Sequence, residues 1–193
     1  MANPTRRLGV VLFQLGGPDT PQAIEPFLFN LFCDPDIIDF PFARLGRKPL
    51  AKLISSTRAK KVLHHYSAIG GASPIRRFTE HQADALQDRL RADGIDAHCF
   101  VAMRYWHPFT AEAVEQLRAA NCDEVVLLPL YPQYSSTTTG SSLNEWRRLF
   151  RGVIIRAARS QIGVKRALQF AEGARHDHDE GRTYRKNSIG NLG

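Results

Sequence analysis

Three clusters in this sequence carry side chains suited to holding a flat, largely apolar ligand. Arg104-Tyr105-Trp106-His107-Pro108 supplies a guanidinium, two aromatic faces and an imidazole. Tyr131-Pro132-Gln133-Tyr134-Ser135 adds two more aromatics and a hydroxyl. Leu15-Gly16-Gly17-Pro18-Asp19 has the small residues that let a ligand or another backbone approach closely. Aromatic faces cover apolar surface, and arginine pairs with carboxylates through a two-pronged fork. Arg58 and Tyr66, just before Gly70-Gly71, extend the same chemistry. The set suits a large apolar ring with carboxylates at its rim. Two of these features also read more plainly. Gly16-Gly17 fits a tight strand-to-helix turn as well as a ligand contact, and Arg58 with Lys60-Lys61 fits a solvated helix face.

Such clusters need elements that bring them together. Leu8–Gln14 (LGVVLFQ) is a short apolar run closed by Gly16-Gly17-Pro18, the pattern of a buried parallel strand. Asp19 or Thr20 before Pro21 is a helix start, and Gln22–Phe32 carries apolar residues at helical spacing. Cys33–Pro49 reads as an irregular loop with several prolines and aromatics. Leu50–Tyr66 and Ile75–Arg91 read as helices, the second ending near Gly94. Ala97–Met103 is a second strand, Thr110–Ala120 a helix capped by Thr110, and Glu124–Leu130 a third strand. A helix begins at Ser142. Strands alternating with helices predict an α/β domain with a parallel sheet. In such sheets ligands sit beyond the carboxyl ends of the strands, and each of the three clusters follows one strand. They should converge on one edge.

Other chemistries fit less well. There is neither a G-x-G-x-x-G nor a G-x-x-x-x-G-K-[ST] motif, which argues against a nucleotide site. His64 and His65 are adjacent on a helix and do not share a face, so they do not form a metal pair. His107 reads as a structural histidine bonded to backbone. His176-Asp177-His178-Asp179-Glu180 lacks an apolar frame and reads as fortuitous composition. Ser135–Ser142 (SSTTTGSS) is either an anion-binding nest or a capped helix start.

The chain has 193 residues and a formal net charge of +7. After Phe150 there are nine Lys/Arg against four Asp/Glu, so most of the charge lies in a basic tail. No aromatic-interleaved or recognition-helix pattern accompanies it, which argues against a nucleic-acid partner. Three cysteines, Cys33, Cys99 and Cys122, are widely spaced with no CxxC, which disfavours a disulfide framework or a zinc site and points to a reducing compartment. Met1–Arg7 lacks the apolar core of a signal peptide, and no run approaches membrane-spanning length. The expected location is the cytoplasm, with peripheral membrane contact and oligomeric state left open. Two domains' worth of texture are visible: residues 1–150, and a divergent tail, 151–193. Within the tail, Val153-Ile154-Ile155 has strand character, Gln161–Glu172 helix character, and the last residues the composition of a disordered segment.

LGGPDT (Leu15–Thr20), YSAIGGASPI (Tyr66–Ile75), MRYWHP (Met103–Pro108) and LYPQYSSTTTGSS (Leu130–Ser142) together resemble the ordered N-terminal motifs of ferrochelatases. The resemblance runs from about Leu8 to Phe150. It implies two similar Rossmann-like α/β domains around a porphyrin cleft, and the insertion of ferrous iron into protoporphyrin, the last step of haem synthesis. By residue-wise carry-over, Arg58, Tyr66 and Ser73 match positions on the propionate side of the porphyrin. Arg104 and Tyr105 match the opposite wall, and Tyr134 the pocket lining. Leu15 stands where some coproporphyrin-using members carry tyrosine, which favours protoporphyrin. Ser136 stands where iron–sulfur-containing members carry cysteine, so no cluster is expected and no cofactor besides the substrates, porphyrin and ferrous iron. The family's metal-handling histidine lies in a Ser-Ala-His motif, and neither it nor its facing glutamate matches any residue here. The expectation is therefore a truncated chain that lacks the second domain, holds one wall of the cleft, contributes no catalytic residue, and is inactive alone. The alternative is a non-catalytic porphyrin-binding module.

Overall fold

In the computed structural model, residues 7–38, 43–150 and 156–157 are described. The apolar run Leu8–Gln14 forms β1, and every residue from Leu8 to Phe13 is buried. Such uniform burial requires neighbours on both sides. β2 (Ala97–Met103) pairs with one edge of β1 and β3 (Glu124–Pro129) with the other, both parallel. Leu8 stands opposite Ala97 and Glu124, and Phe13 opposite Ala102 and Pro129. A two-residue β4 (Arg156–Ala157) lies parallel to β3, giving the order β2-β1-β3-β4. The parallel sheet flanked by helices is the α/β architecture expected from the alternation of elements. β4 carries the sheet past Phe150, where the sequence reading drew its boundary. The other expectations for the tail lie outside the described residues.

Strand periodicity sorts the core into two layers. Val10, Leu12, Val126 and Leu128 face one way, against Ala83 and Leu90 of α3 (Ile75–Ala92). Val11, Phe13, Val125 and Leu127 face the other, against Ala113, Val114 and Leu117 of α4 (Thr110–Ala119) and Trp146 of α5 (Ser141–Leu149). α1 (Ile24–Phe32) and α2 (Ala43–Ser67) make a third cluster with Tyr105 at its centre. α3 also shields the outer edge of β2. Gln87 Oε1 accepts from the Cys99 N–H at 3.0 Å, and Arg91 Nε donates to the Ala97 carbonyl at 3.0 Å.

The starts of α2, α4 and α1 differ from expectation. α2 begins at Ala43 and runs through Pro49, where a loop was expected. An interior proline costs about 3 kcal/mol, and packing of Ala59, Val62 and Tyr66 onto α1 outweighs it. α4 is capped at Phe109 rather than Thr110, because Glu112 reaches back to accept from the Phe109 N–H at 2.6 Å. α1 is preceded by a 3₁₀ turn, Pro21–Ala23, which Thr20 caps by accepting from the Ala23 N–H at 3.2 Å. Among the described residues no helix is long and apolar enough to cross a membrane.

Candidate functional site

Because β1, β2 and β3 are parallel, their carboxyl ends share one edge. The loops beyond them lock together there. Backbone pairing continues past the strands: Arg104 N–H donates to Gln14 O at 3.0 Å and Tyr105 N–H to Leu15 O at 3.1 Å. Gly16 has φ +87°, and a Cβ there would meet Met103 Cβ and Trp106 Cβ at 3.2 Å. A Cβ on Gly17 would lie 2.6 Å from Ser73 Oγ. Ser73 is held by its own N–H, which donates to Pro18 O at 2.7 Å. Trp106 Nε1 donates to Asp19 at 2.9 Å. The glycine turn therefore serves close backbone packing, with the Ser73 loop on one side and the Trp106 loop on the other. Leu15 belongs to the clusters on both sides of this junction.

The six residues singled out in the sequence separate into two groups. Arg58 and Tyr134 are exposed, the latter at 54%. The Arg58 guanidinium lies 5.5 Å over the Phe32 ring, stacked on α1 yet open to solvent. Tyr66 is half-buried between α1 and α2, and burial raises the pKa of its phenol. Ser73 fills the space left by Gly17. Arg104 and Tyr105 lie lower, beneath the edge. Tyr105 is fully buried, and its ring packs among Ile24, Phe27 and Leu28. Arg104 keeps only 16% of its side chain exposed, at the wall of an open cavity of about 680 Å³ that Asn30, Phe109 and Arg148 also line.

What holds Arg104 and Tyr105 is Asp34, a residue that sequence reasoning missed. Its carboxylate is 1% exposed and accepts from four donors. Tyr105 OH and Ser141 OH both reach Oδ2 at 2.5 Å, Arg104 Nη2 reaches Oδ2 at 3.0 Å, and the Asp36 N–H reaches Oδ1 at 2.9 Å. Burial alone would raise its pKa; the donors and the guanidinium more than offset that, and the net shift is downward. Arg104 Nε also donates to Ser141 Oγ at 2.8 Å. The Tyr105 phenol is pushed strongly upward, by burial first and by the adjoining carboxylate second. The only signal in the sequence was Asp34-Pro35-Asp36, a turn motif with nothing to say about partners far along the chain.

The remaining candidates resolve as follows. Ser135 caps the turn Ser136–Gly140 by accepting from the Thr137 N–H at 3.2 Å, the helix-start reading of the hydroxylated run. Tyr131 is buried, with its hydroxyl 3.0 Å from Ser142 Oγ. His107 is exposed, and its Nδ1 lies 2.8 Å from a Glu112 carboxylate oxygen, so its partner is a side chain rather than the backbone. His64 and His65 are exposed, and among the described residues no group of three or more His, Cys, Asp or Glu could hold a metal ion. The His176–Glu180 run lies outside the described residues.

A parallel sheet flanked by helices, with its strand-end loops meeting at one edge, is an α/β domain of the Rossmann-like kind. The ferrochelatase family model matches residues 7–172, and the chain belongs to the ferrochelatase family. The match continues past Phe150, where the motif resemblance had ended, in keeping with the pairing of β4. A ferrochelatase of Caulobacter vibrioides is 55% identical over 150 residues, covering 77% of this chain and 43% of that protein. One from Synechococcus sp. (strain WH7803) is 57% identical over 146 residues, covering 76% and 37%. One from Prochlorococcus marinus is 52% identical over 160 residues, covering 80% and 41%. The chain thus spans less than half the length of these relatives.

Proposed function

We propose that the carboxyl edge of this sheet is the porphyrin-holding wall of a ferrochelatase, whose whole protein inserts ferrous iron into protoporphyrin. The observation that carries this reading is the junction of the Gly16-Gly17, Ser73 and Trp106 loops at one edge, with α2 packed beside it through Tyr66. α2 leaves the Arg58 guanidinium exposed, stacked over Phe32 of α1. A free cation there fits the carboxylate rim of a porphyrin.

The geometry divides the arginine roles. Arg104 is already neutralised by Asp34, so carboxylate capture falls to Arg58. Tyr66, Ser73 and Tyr134 complete the contact set on that side, Arg104 forms the opposite wall, and Tyr105 supports it from beneath. Leu15 at the junction supports protoporphyrin over coproporphyrin. Ser136 has no thiol to offer a cluster; Cys33 caps the end of α1, Cys99 lies in β2 and Cys122 in the connection before β3.

Porphyrin fluorescence titration tests the reading. Wild-type chain should quench and bind protoporphyrin more tightly than coproporphyrin. Arg58→Ala should weaken binding by about twofold to fivefold, the worth of one exposed ion pair. Unchanged affinity in that variant would remove Arg58 as the anchor. An iron-insertion assay on the same samples separates roles: binding without turnover leaves these residues as the holding wall, and robust turnover would assign them the proton-accepting base as well.

A further inference from the structure

Asp34 lies in the corner between α1 and α2, away from the three strand-end loops in sequence, yet it ties two of those regions together. Its buried carboxylate takes hydrogen bonds from Tyr105 and Arg104, in the loop after β2, and from Ser141, at the start of α5. Asn30, one turn earlier on α1, donates to the Tyr105 carbonyl at 3.1 Å. The end of α1 thus grips residues 104 and 105 by backbone and side chain alike. An arginine side chain has several rotatable bonds and no preferred direction of its own. Here two of its nitrogens are fixed, Nε on Ser141 and Nη2 on Asp34. That leaves the guanidinium plane set at the wall of the cavity it lines.

We propose that Asp34 is a positioning residue for Arg104, fixing its guanidinium at the cavity wall together with Ser141. It touches no ligand itself and acts through Arg104. Loss of the carboxylate leaves a cation mostly buried without its counter-charge, and Arg104 must swing outward to be solvated. That wall would then present a mobile cation where it now presents a fixed, neutralised one. For its effect on ligand binding this inference rests on the porphyrin reading; for Arg104 itself it does not.

The test compares wild type, Asp34→Asn, Arg104→Ala and the double variant. Asn keeps the size and an acceptor for the two hydroxyls and removes the charge. Two quantities are read: hydrogen exchange at the Arg104 Nε–H by nitrogen-15 NMR, and protoporphyrin affinity well below the melting temperature. In Asp34→Asn the Nε–H should exchange at least about tenfold faster and affinity should change by about tenfold, whereas in the Arg104→Ala background the same substitution should leave affinity within about twofold. Unchanged exchange in Asp34→Asn overturns the proposal. So does an affinity change of equal size in both backgrounds, the signature of a merely structural role. If wild type binds no porphyrin, the proposed function falls and the exchange measurement alone decides this inference. Should Asp34→Asn fail to fold, Ser141→Ala removes the other anchor and is read by the same criteria.

Discussion

Substituting Gly17 by alanine adds one methyl group at the most crowded point of the junction. The new Cβ would lie 2.6 Å from Ser73 Oγ and 2.7 Å from Ser73 Cβ, with Ile75 Cγ2 at 3.2 Å. Gly17 has no left-handed backbone to defend, so the effect is steric. Ser73 cannot simply rotate away, because the closest carbon is its own Cβ and its N–H is tied to Pro18 O. Overpacking of this kind costs about 1–3 kcal/mol. Replacing glycine restricts the unfolded chain and returns about 0.4–1 kcal/mol. The net expectation is a loss of up to about 2.5 kcal/mol, which at about 2–4 °C per kcal/mol lowers the melting temperature by as much as about 10 °C. Thermal or urea unfolding followed by circular dichroism measures it. Ser73→Gly in the same chain removes both close atoms. In a double-mutant cycle the pair should therefore be less destabilised than the sum of the singles, by at least about 1 kcal/mol. Additive behaviour would refute the close contact between the glycine turn and the Ser73 loop.

Acid stability reports on Asp34. Its pKa is lowered in the folded state, so its stabilisation is present above the ordinary carboxylate value of about 3.9 and lost as pH falls through the depressed one. Melting temperature should decline with acid more steeply in wild type than in Asp34→Asn over that window, and parallel profiles would contradict the assignment. Cys99 has its thiol pushed from 9.0 to about 12 by burial. Only the thiolate is nucleophilic, so alkylation of native Cys99 should run on the order of a thousandfold slower than in unfolded chain. Mass spectrometry of iodoacetamide-treated protein reads this directly, and comparable rates in the two states would show the thiol to be open.

The strands were legible because they obey a local rule. β1 and β2 match their expected limits, Leu8–Gln14 and Ala97–Met103, since each is an apolar run bounded by charged or turn-forming residues. The convergence of loops followed from the parallel order alone. The start of α2 was hidden because Pro49 signals a break, and only packing against α1 reveals that the helix tolerates it. The division between exposed Arg58 and neutralised Arg104 was not legible either. Two arginines look alike in a sequence, and Asp34 is separated from Tyr105 by 71 residues and from Ser141 by 107. Folding makes that triad; no local pattern announces it. For the same reason Tyr105, an aromatic in an aromatic cluster, read as a ligand contact although its ring is packed beneath the edge.

The shielding of β2 by α3 gives the sheet a direction of growth. At the β2 side, the Cys99 N–H is taken by Gln87, the Ala97 carbonyl by Arg91, and the Met103 N–H by the Pro108 carbonyl at 2.7 Å. An incoming strand would have to displace all three before it could zip on. Extension is therefore favoured at the far side, beyond β4. The domain resembles a zipper with one end sewn shut, so misassembly between copies through β2 is discouraged by two side chains of a single helix.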